Sequence, residues 1–444
     1  MVQRPKLKAA LRAVGEWFAS LLIPPQIQPT KGFSGVAFGD VEEGNVYLVE
    51  AEAEEYRRHL AGLVEAVSGN DDVSPRAVEM AYQRAIFIVL DMKGRRTAEP
   101  KARREAALGE LEKFLTGPLQ HFRAVVPVLG LATEGLPTKV GSVAFAVFDQ
   151  EQADVFSSVV RHWGLSQEEE LERLEILEHM GLRRQLAGRP IAIVEVEALD
   201  WGAAEVRALR EVRLTLDVIN FFSALLPYND AHLSLPGDAT TTRLLVAQVR
   251  AENGKWAAYH FDDRWMGPLG ELSLSKLHGH DLEARLGFAH ASVLLRSRRN
   301  ELQNRLVAAL QWAGRATVDL RREEAFLLYA IALEAFLLAE SDRQELTYRL
   351  RLRVAHLLGR TGEERGSLFK KVKHLYEIRS AIVHNGHYQV TEADLGLMRS
   401  VASWSLVRAC TADEFTGMTT PDELAQWFED KLLGSQGDRS EAEG

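Results

Sequence analysis

The chain has 444 residues, a formal net charge of −10 and 46% hydrophobic residues, room for two or three domains with ample core. That charge argues against a generic nucleic-acid coat protein, and a single cysteine, Cys410, excludes an internal disulfide and a cysteine-based zinc site. No run of about 18 uncharged apolar residues occurs, so no membrane span is expected, and the expected location is the cytoplasm. Residues 5–23 have the outline of a signal peptide, but Arg12 and Glu16 interrupt the apolar part and an amphipathic helix is the expectation. Pro24-Pro25 breaks that helix, and short β-like runs such as Val46-Tyr47-Leu48-Val49 follow. Helices are predicted over 52–67, 75–92 and 101–115.

A strand is predicted over 139–148, then helices over 151–163 and from a Ser166/Glu169 capping box to about His179. Residues 189–198 alternate as a second strand, followed by a long helix over 202–226. The units 139–163 and 189–226 share the order strand, Asp (Asp149, Asp200), turn, helix. Residues 243–250 and 255–261 flank Asn253-Gly254, a hairpin signal. From about residue 283 the pattern is helical throughout. Five helices are predicted, over 299–315, 321–340, 343–358, 364–385 and 391–413, with a sixth at 421–433 capped by Asp422. Short polar connections imply antiparallel neighbours and a bundle. The expected fold class is therefore α+β and multidomain. A mixed α/β region (1–290) precedes an all-α bundle (291–434) and a polar tail (435–444).

The segment from Tyr376 to Gly386, YEIRSAIVHNG, reads as the last turns of a helix that stops at Asn385-Gly386. Arg379 and His384 lie in those turns, an arginine able to clamp a phosphate and a histidine able to move a proton. Spacing alone is weak. Arg-x4-His also occurs at Arg285/His290 and Arg351/His356, and about one such pair is expected by chance from 40 Arg and 13 His. The setting adds weight: residues 291–380 hold 17 Lys and Arg against 11 Asp and Glu within an acidic chain. Each residue also has an ordinary reading, in which Arg379 pairs with Glu377 or Glu334 and His384 caps the helix. Glu334 interrupts an apolar helix face and needs a partner. Lys370, Lys371 and Lys373 either contact an RNA backbone or form solvated surface, and Tyr376 or Tyr388 could stack on a base. His260, Asp262, Asp263, His278, His280 and Asp281 are metal-ligand types without a supporting spacing. No cofactor or metal is expected.

Residues 300–415 resemble the HEPN superfamily in its Apea-like branch. The match lies in YAIALEAF (Tyr329–Phe336), RLRLRVAHLL (Arg349–Leu358) and LYEIRSAIVHNG (Leu375–Gly386). The resemblance implies an all-α domain that forms a homodimer and builds one RNase site from both protomers. It makes Arg379 and His384 catalytic, with Glu334, Ser380 and Asn385 in support. Ser380 replaces the Asn, Asp or His common after the arginine in active members. The implied reaction is endoribonucleolytic attack by the RNA's 2′-hydroxyl, giving a 2′,3′-cyclic phosphate and a 5′-hydroxyl. The implied setting is prokaryotic anti-phage or abortive-infection defence, with tRNA or other RNA as substrate, a phage-derived trigger or an antitoxin as partner, and residues 1–290 as sensor or regulator. The alternative is a non-catalytic HEPN module for dimerisation or RNA binding.

Overall fold

The structure is a computed structural model that describes residues 4–21, 35–40, 44–67, 72–90, 99–149, 186–226, 231–235, 247–250, 256–257, 271–278, 285–296, 298–318, 321–338, 346–385 and 389–434. The helices expected over 151–163 and 166–179, the Asn253-Gly254 turn and the 435–444 tail lie outside the described residues. The fold is mixed α+β. No described helix is long and apolar enough to cross a membrane.

The first unit is helical. It contains α1 (Arg4–Ser20), the antiparallel pair β1 (Gly35–Asp40) and β2 (Gly44–Val49), then α2 (Glu50–Val67), α3 (Pro75–Leu90) and α4 (Pro100–Leu115). Val46 and Leu48 alternate into the core on β2, as a half-buried strand requires. The unit closes around Trp17, Phe18, Tyr56 and Tyr82, with the two tyrosine rings stacked at 5.2 Å.

The second unit begins with an antiparallel sheet that has six strands among the described residues. Its strands are β3 (Gln120–Pro127), β4 (Thr138–Val140), β5 (Val143–Val147), β6 (Pro190–Ala198), β7 (Ala247–Arg250) and β8 (Trp256–Ala257), in the order β4-β5-β6-β3-β7-β8. The single strand expected over 139–148 is a hairpin that turns at Gly141. There φ is +61°, and a Cβ would lie 2.4 Å from Leu295 Cβ, so only glycine fits. Helix α5 (Trp201–Ser223) follows β6. Asp200 caps it by accepting from the Gly202 and Ala203 amides, and the same carboxylate accepts from the Ser74 amide and hydroxyl at 2.8 and 2.7 Å. One side chain thus starts α5 and pins the start of α3, joining the two units.

The remaining helices among the described residues are α6 (Phe288–Leu294), α7 (Glu301–Val318), α8 (Arg322–Leu337), α9 (Leu346–Leu358), α10 (Gly362–Asn385), α11 (Glu392–Thr411), α12 (Asp413–Thr416) and α13 (Pro421–Leu433). The five expected bundle helices are α7 to α11. Thr420, rather than Asp422, caps α13, accepting from the Glu423 amide. Helix α8 is central and touches α7, α9, α10 and α11, which explains why it is apolar almost all round. Its last carbonyls, of Leu337 and Leu338, accept from the guanidinium groups of Arg353 and Arg305.

The boundary expected near residue 290 does not separate two cores. One apolar core runs from Ala124 on the sheet through α5 to Phe428 on α13; residues 7–115 with Leu199 form a second, and Phe122, Ala198, Ala203 and Ala204 form a smaller cluster. The cause is α5, which packs on the sheet with one side and on α7 with the other. Gly314 lets α7 approach so closely that a Cβ there would sit 1.8 Å from the Asp217 carbonyl oxygen.

Candidate functional site

Helix α10 positions the motif. Thr361 and Glu364 start it with reciprocal side-chain to amide hydrogen bonds of 3.2 Å each. Val372, Leu375, Tyr376 and Ile378 bury its inner face. Its far end is followed by Val390, whose amide donates to Glu323 at the start of α8 at 3.3 Å.

Arg379 reaches from α10 to Glu334 on α8. Nε lies 3.2 Å from Oε1 and Nη2 lies 3.4 Å from Oε2, the fork geometry of a bidentate pair. The two side chains keep 30% and 28% exposure, so the pair faces a solvent-accessible edge. Of the two partners open in the sequence, Glu334 is the one used; Glu377 pairs with Lys373 at 3.6 Å. Tyr376, one turn before Arg379, is only 6% exposed and its hydroxyl donates to the Ala330 carbonyl at 3.5 Å. Burial first, then the Glu334 carboxylate, pushes its phenol well above the ordinary value. Tyr376 is therefore a buried member of the Glu334–Arg379 cluster, and its ring is too enclosed in this chain to stack on a base.

Ser380 and His384 are exposed and one turn apart, on a common face. His384 makes no hydrogen bond or ion pair among the described residues. Positions five apart on a helix differ by about 140°, so His384 points away from the Arg379–Glu334 pair. Asn385 is the last helical residue, and Tyr388 lies outside the described residues. Lys370, Lys371 and Lys373 are exposed, but only two of them follow the His384 face. Gly366, Lys370, Lys373, Glu377, Ser380 and His384 recur every three or four residues, each exposed, as one stripe along α10. Lys371 falls on the other side. There His374 meets Asp394 of α11 at 2.9 Å. The Thr391 hydroxyl first, and His374 second, hold that carboxylate below its usual range.

The other two Arg-x4-His pairs have different surroundings. The Arg351 guanidinium carbon lies over the Phe369 ring, 3.8 Å from its centre, and Nε donates to the Phe369 carbonyl. His356 has a buried Nδ1 without a partner, and burial, then Arg365 and Lys431, lower its pKa. His290 is likewise lowered by burial. Neither arginine has an ion pair to a carboxylate among those described. Of the metal-ligand types, His278 sits 3.4 Å from Thr138 Oγ1; the others lie outside the described residues.

Two residues beside the stripe were not singled out from the sequence, Tyr348 and Phe369; Arg351, which lies against Phe369, entered only as part of an Arg-x4-His pair. Tyr348 is 49% exposed and meets Phe369 edge-on at 5.8 Å. Its signal was legible, because Leu350, Val354 and Leu357 set the inward phase of α9 and Tyr348 falls outside it.

Comparison with known protein families, with characterised proteins and with solved structures finds no match to this chain. The functional reading accordingly rests on the residues and their geometry.

Proposed function

We propose that the helices of residues 291–434 form a metal-independent HEPN-type endoribonuclease, with Arg379 and His384 as its catalytic residues. The observation that carries this reading is the composite end of α10. An arginine is held in a carboxylate fork with about a third of its surface open, and an unpaired histidine and a serine stand exposed within the next turns.

RNA supplies its own nucleophile. The 2′-oxygen attacks phosphorus while a base takes its proton, and the P–O5′ bond breaks as an acid protonates the departing oxygen. The products are a 2′,3′-cyclic phosphate and a 5′-hydroxyl. A histidine exchanges protons near neutral pH, and a guanidinium matches the charge that builds on the phosphoryl oxygens. The 140° separation keeps one chain from aiming both groups at one phosphate. A two-fold homodimer removes that obstacle by offering a histidine from each protomer, one as base and one as acid. Glu334 positions the guanidinium, and Tyr376 backs the carboxylate. The preceding regions regulate the nuclease, in a cytoplasmic defence role against phage with tRNA or other RNA as substrate; a phage-derived trigger or an antitoxin is the partner that sets its state.

The second reading, a non-catalytic dimerisation or RNA-binding module, is favoured by the completeness of the Glu334–Arg379 pair, which gives the arginine a structural role. The two readings differ on Arg379→Lys. A nuclease loses about 100-fold or more in cleavage when a transition-state donor is removed, whereas a binding module has no cleavage to lose. Wild-type protein that leaves total tRNA intact under every condition in which it binds RNA would reject the nuclease.

A further inference from the structure

We infer that α9 and α10 carry a track for single-stranded RNA, leading from the candidate site to a stacking platform built by Tyr348, Phe369 and Arg351. The inference rests on the ribonuclease reading and assigns its substrate class: unpaired RNA of several nucleotides, held along α10.

Four observations meet here. Residues 346–379 hold nine Lys and Arg against three Glu, within a chain of net charge −10. The exposed stripe of α10 places Lys370 and Lys373 between Phe369 and the Ser380/His384 end, with Lys373 also 3.6 Å from Glu377 in an exposed pair that a phosphate can replace. At its start, the Arg351 guanidinium carbon lies 3.8 Å from the centre of the Phe369 ring, and the Tyr348 and Phe369 rings meet at right angles at 5.8 Å with Tyr348 half exposed. Finally, Tyr348 lies outside the inward phase of α9, which begins at Leu350, and so presents a large aromatic surface to solvent. An open ring beside a guanidinium plane and a line of lysines suits bases and phosphates together. An acidic protein surface would match the lysines but would not use the ring.

The geometry sets a length. Phe369 and His384 are fifteen residues apart, about 22 Å along the helix axis. At the ~3.4 Å spacing of stacked nucleotides, a strand touching both ends needs about six or seven nucleotides.

The test uses full-length protein and 2′-O-methyl oligonucleotides of 12 and 4 nucleotides. These lack the nucleophile, so binding is read without cleavage. Tyr348→Ala is expected to weaken 12-mer binding about fivefold or more, and Tyr348→Phe to restore it. The 4-mer, which cannot reach both ends, should bind wild type far more weakly than the 12-mer. The double variant Lys370→Ala/Lys373→Ala should lower the salt dependence of log K by about 1.4, from ~0.7 per phosphate contact, and Lys371→Ala should leave it unchanged. Equal 12-mer affinity in wild type and Tyr348→Ala overturns the platform. So does absence of 12-mer binding by wild type, or displacement of the 12-mer by polyglutamate together with equal wild-type affinity for the 12-mer and the 4-mer, which points to an acidic protein. Cleavage of unmodified RNA by wild type is scored separately. Cleavage with a failed platform keeps the nuclease and removes the track; binding with no cleavage keeps the track and removes the nuclease.

Discussion

Gly314→Ala tests the claim that the helical bundle and the α/β layer share one core. Alanine is ordinarily the better helix former, by about 0.5–1 kcal/mol over glycine. At Gly314 the added Cβ would lie 1.8 Å from the Asp217 carbonyl oxygen and 2.5 Å from its carbon, where real contacts stay above 3.0 Å. The shortfall is against backbone, so no side chain can swing aside. Helix α7 must move off α5 by more than 1 Å, loosening the packing of Val218, Ile219, Leu310 and Ala313. Overpacking of this kind costs about 1–3 kcal/mol, occasionally more, which outweighs the propensity gain. Gly396→Ala on α11 is the matched control, with nothing within 4 Å of its added Cβ. Urea unfolding followed by circular dichroism should show the midpoint falling for Gly314→Ala and rising slightly for Gly396→Ala. A rise in both would refute the shared core and support an independent bundle beginning near residue 291.

Three further outcomes are expected. Glu334→Ala leaves Arg379 half-buried and unpaired, and should cost about 1–3 kcal/mol, below the figure for a sealed pair because both partners retain solvent; unchanged urea stability would mean the fork does not form. Burial lowers the folded-state pKa of His59, His232, His290 and His356 below 6.5. The unfolded chain then binds more protons as pH falls through 6.5, so stability is full above that value and drops beneath it. His356→Gln should make the dependence shallower, and identical urea midpoints for wild type at pH 7.5 and 5.5 would contradict the burial. The Cys410 thiol is buried and its pKa is pushed up to about 12, so a thiol reagent at pH 8 should label it only as fast as the bundle opens; immediate stoichiometric labelling of native protein would place it at the surface.

The bundle helices were legible because α7 and α9 carry a 3.6-residue apolar pattern, α8 is apolar almost throughout, and short polar connections mark their ends. The sheet was less so. Strand β3, near its centre, includes His121, Arg123 and Pro127, which dilute the alternation and hide a strand whose apolar half is only Ala124–Val126. The β4–β5 turn was missed because Gly141-Ser142 lies between Val140 and the apolar run Val143–Phe148, with only two small residues to mark it. No local pattern could reveal that α5 is covered on both sides, since that depends on which helix returns to it. At the site, the sequence pointed to Glu334 and Arg379 but left the arginine's partner open, because Glu377 is close in sequence and Glu334 is close only in space. Tyr376 was misplaced for a simpler reason. It continues the inward row of Val372 and Leu375, and that periodicity outranks the habit of assigning a tyrosine near a motif to the ligand.

The most direct measurement is incubation of purified full-length wild type and His384→Ala with total tRNA in EDTA, with analysis of the product ends. The account predicts 2′,3′-cyclic phosphate and 5′-hydroxyl ends from wild type, and none from a His384→Ala protein that retains its urea midpoint. Cleavage by both proteins alike, or 3′-hydroxyl and 5′-phosphate ends that disappear on chelation, would contradict it.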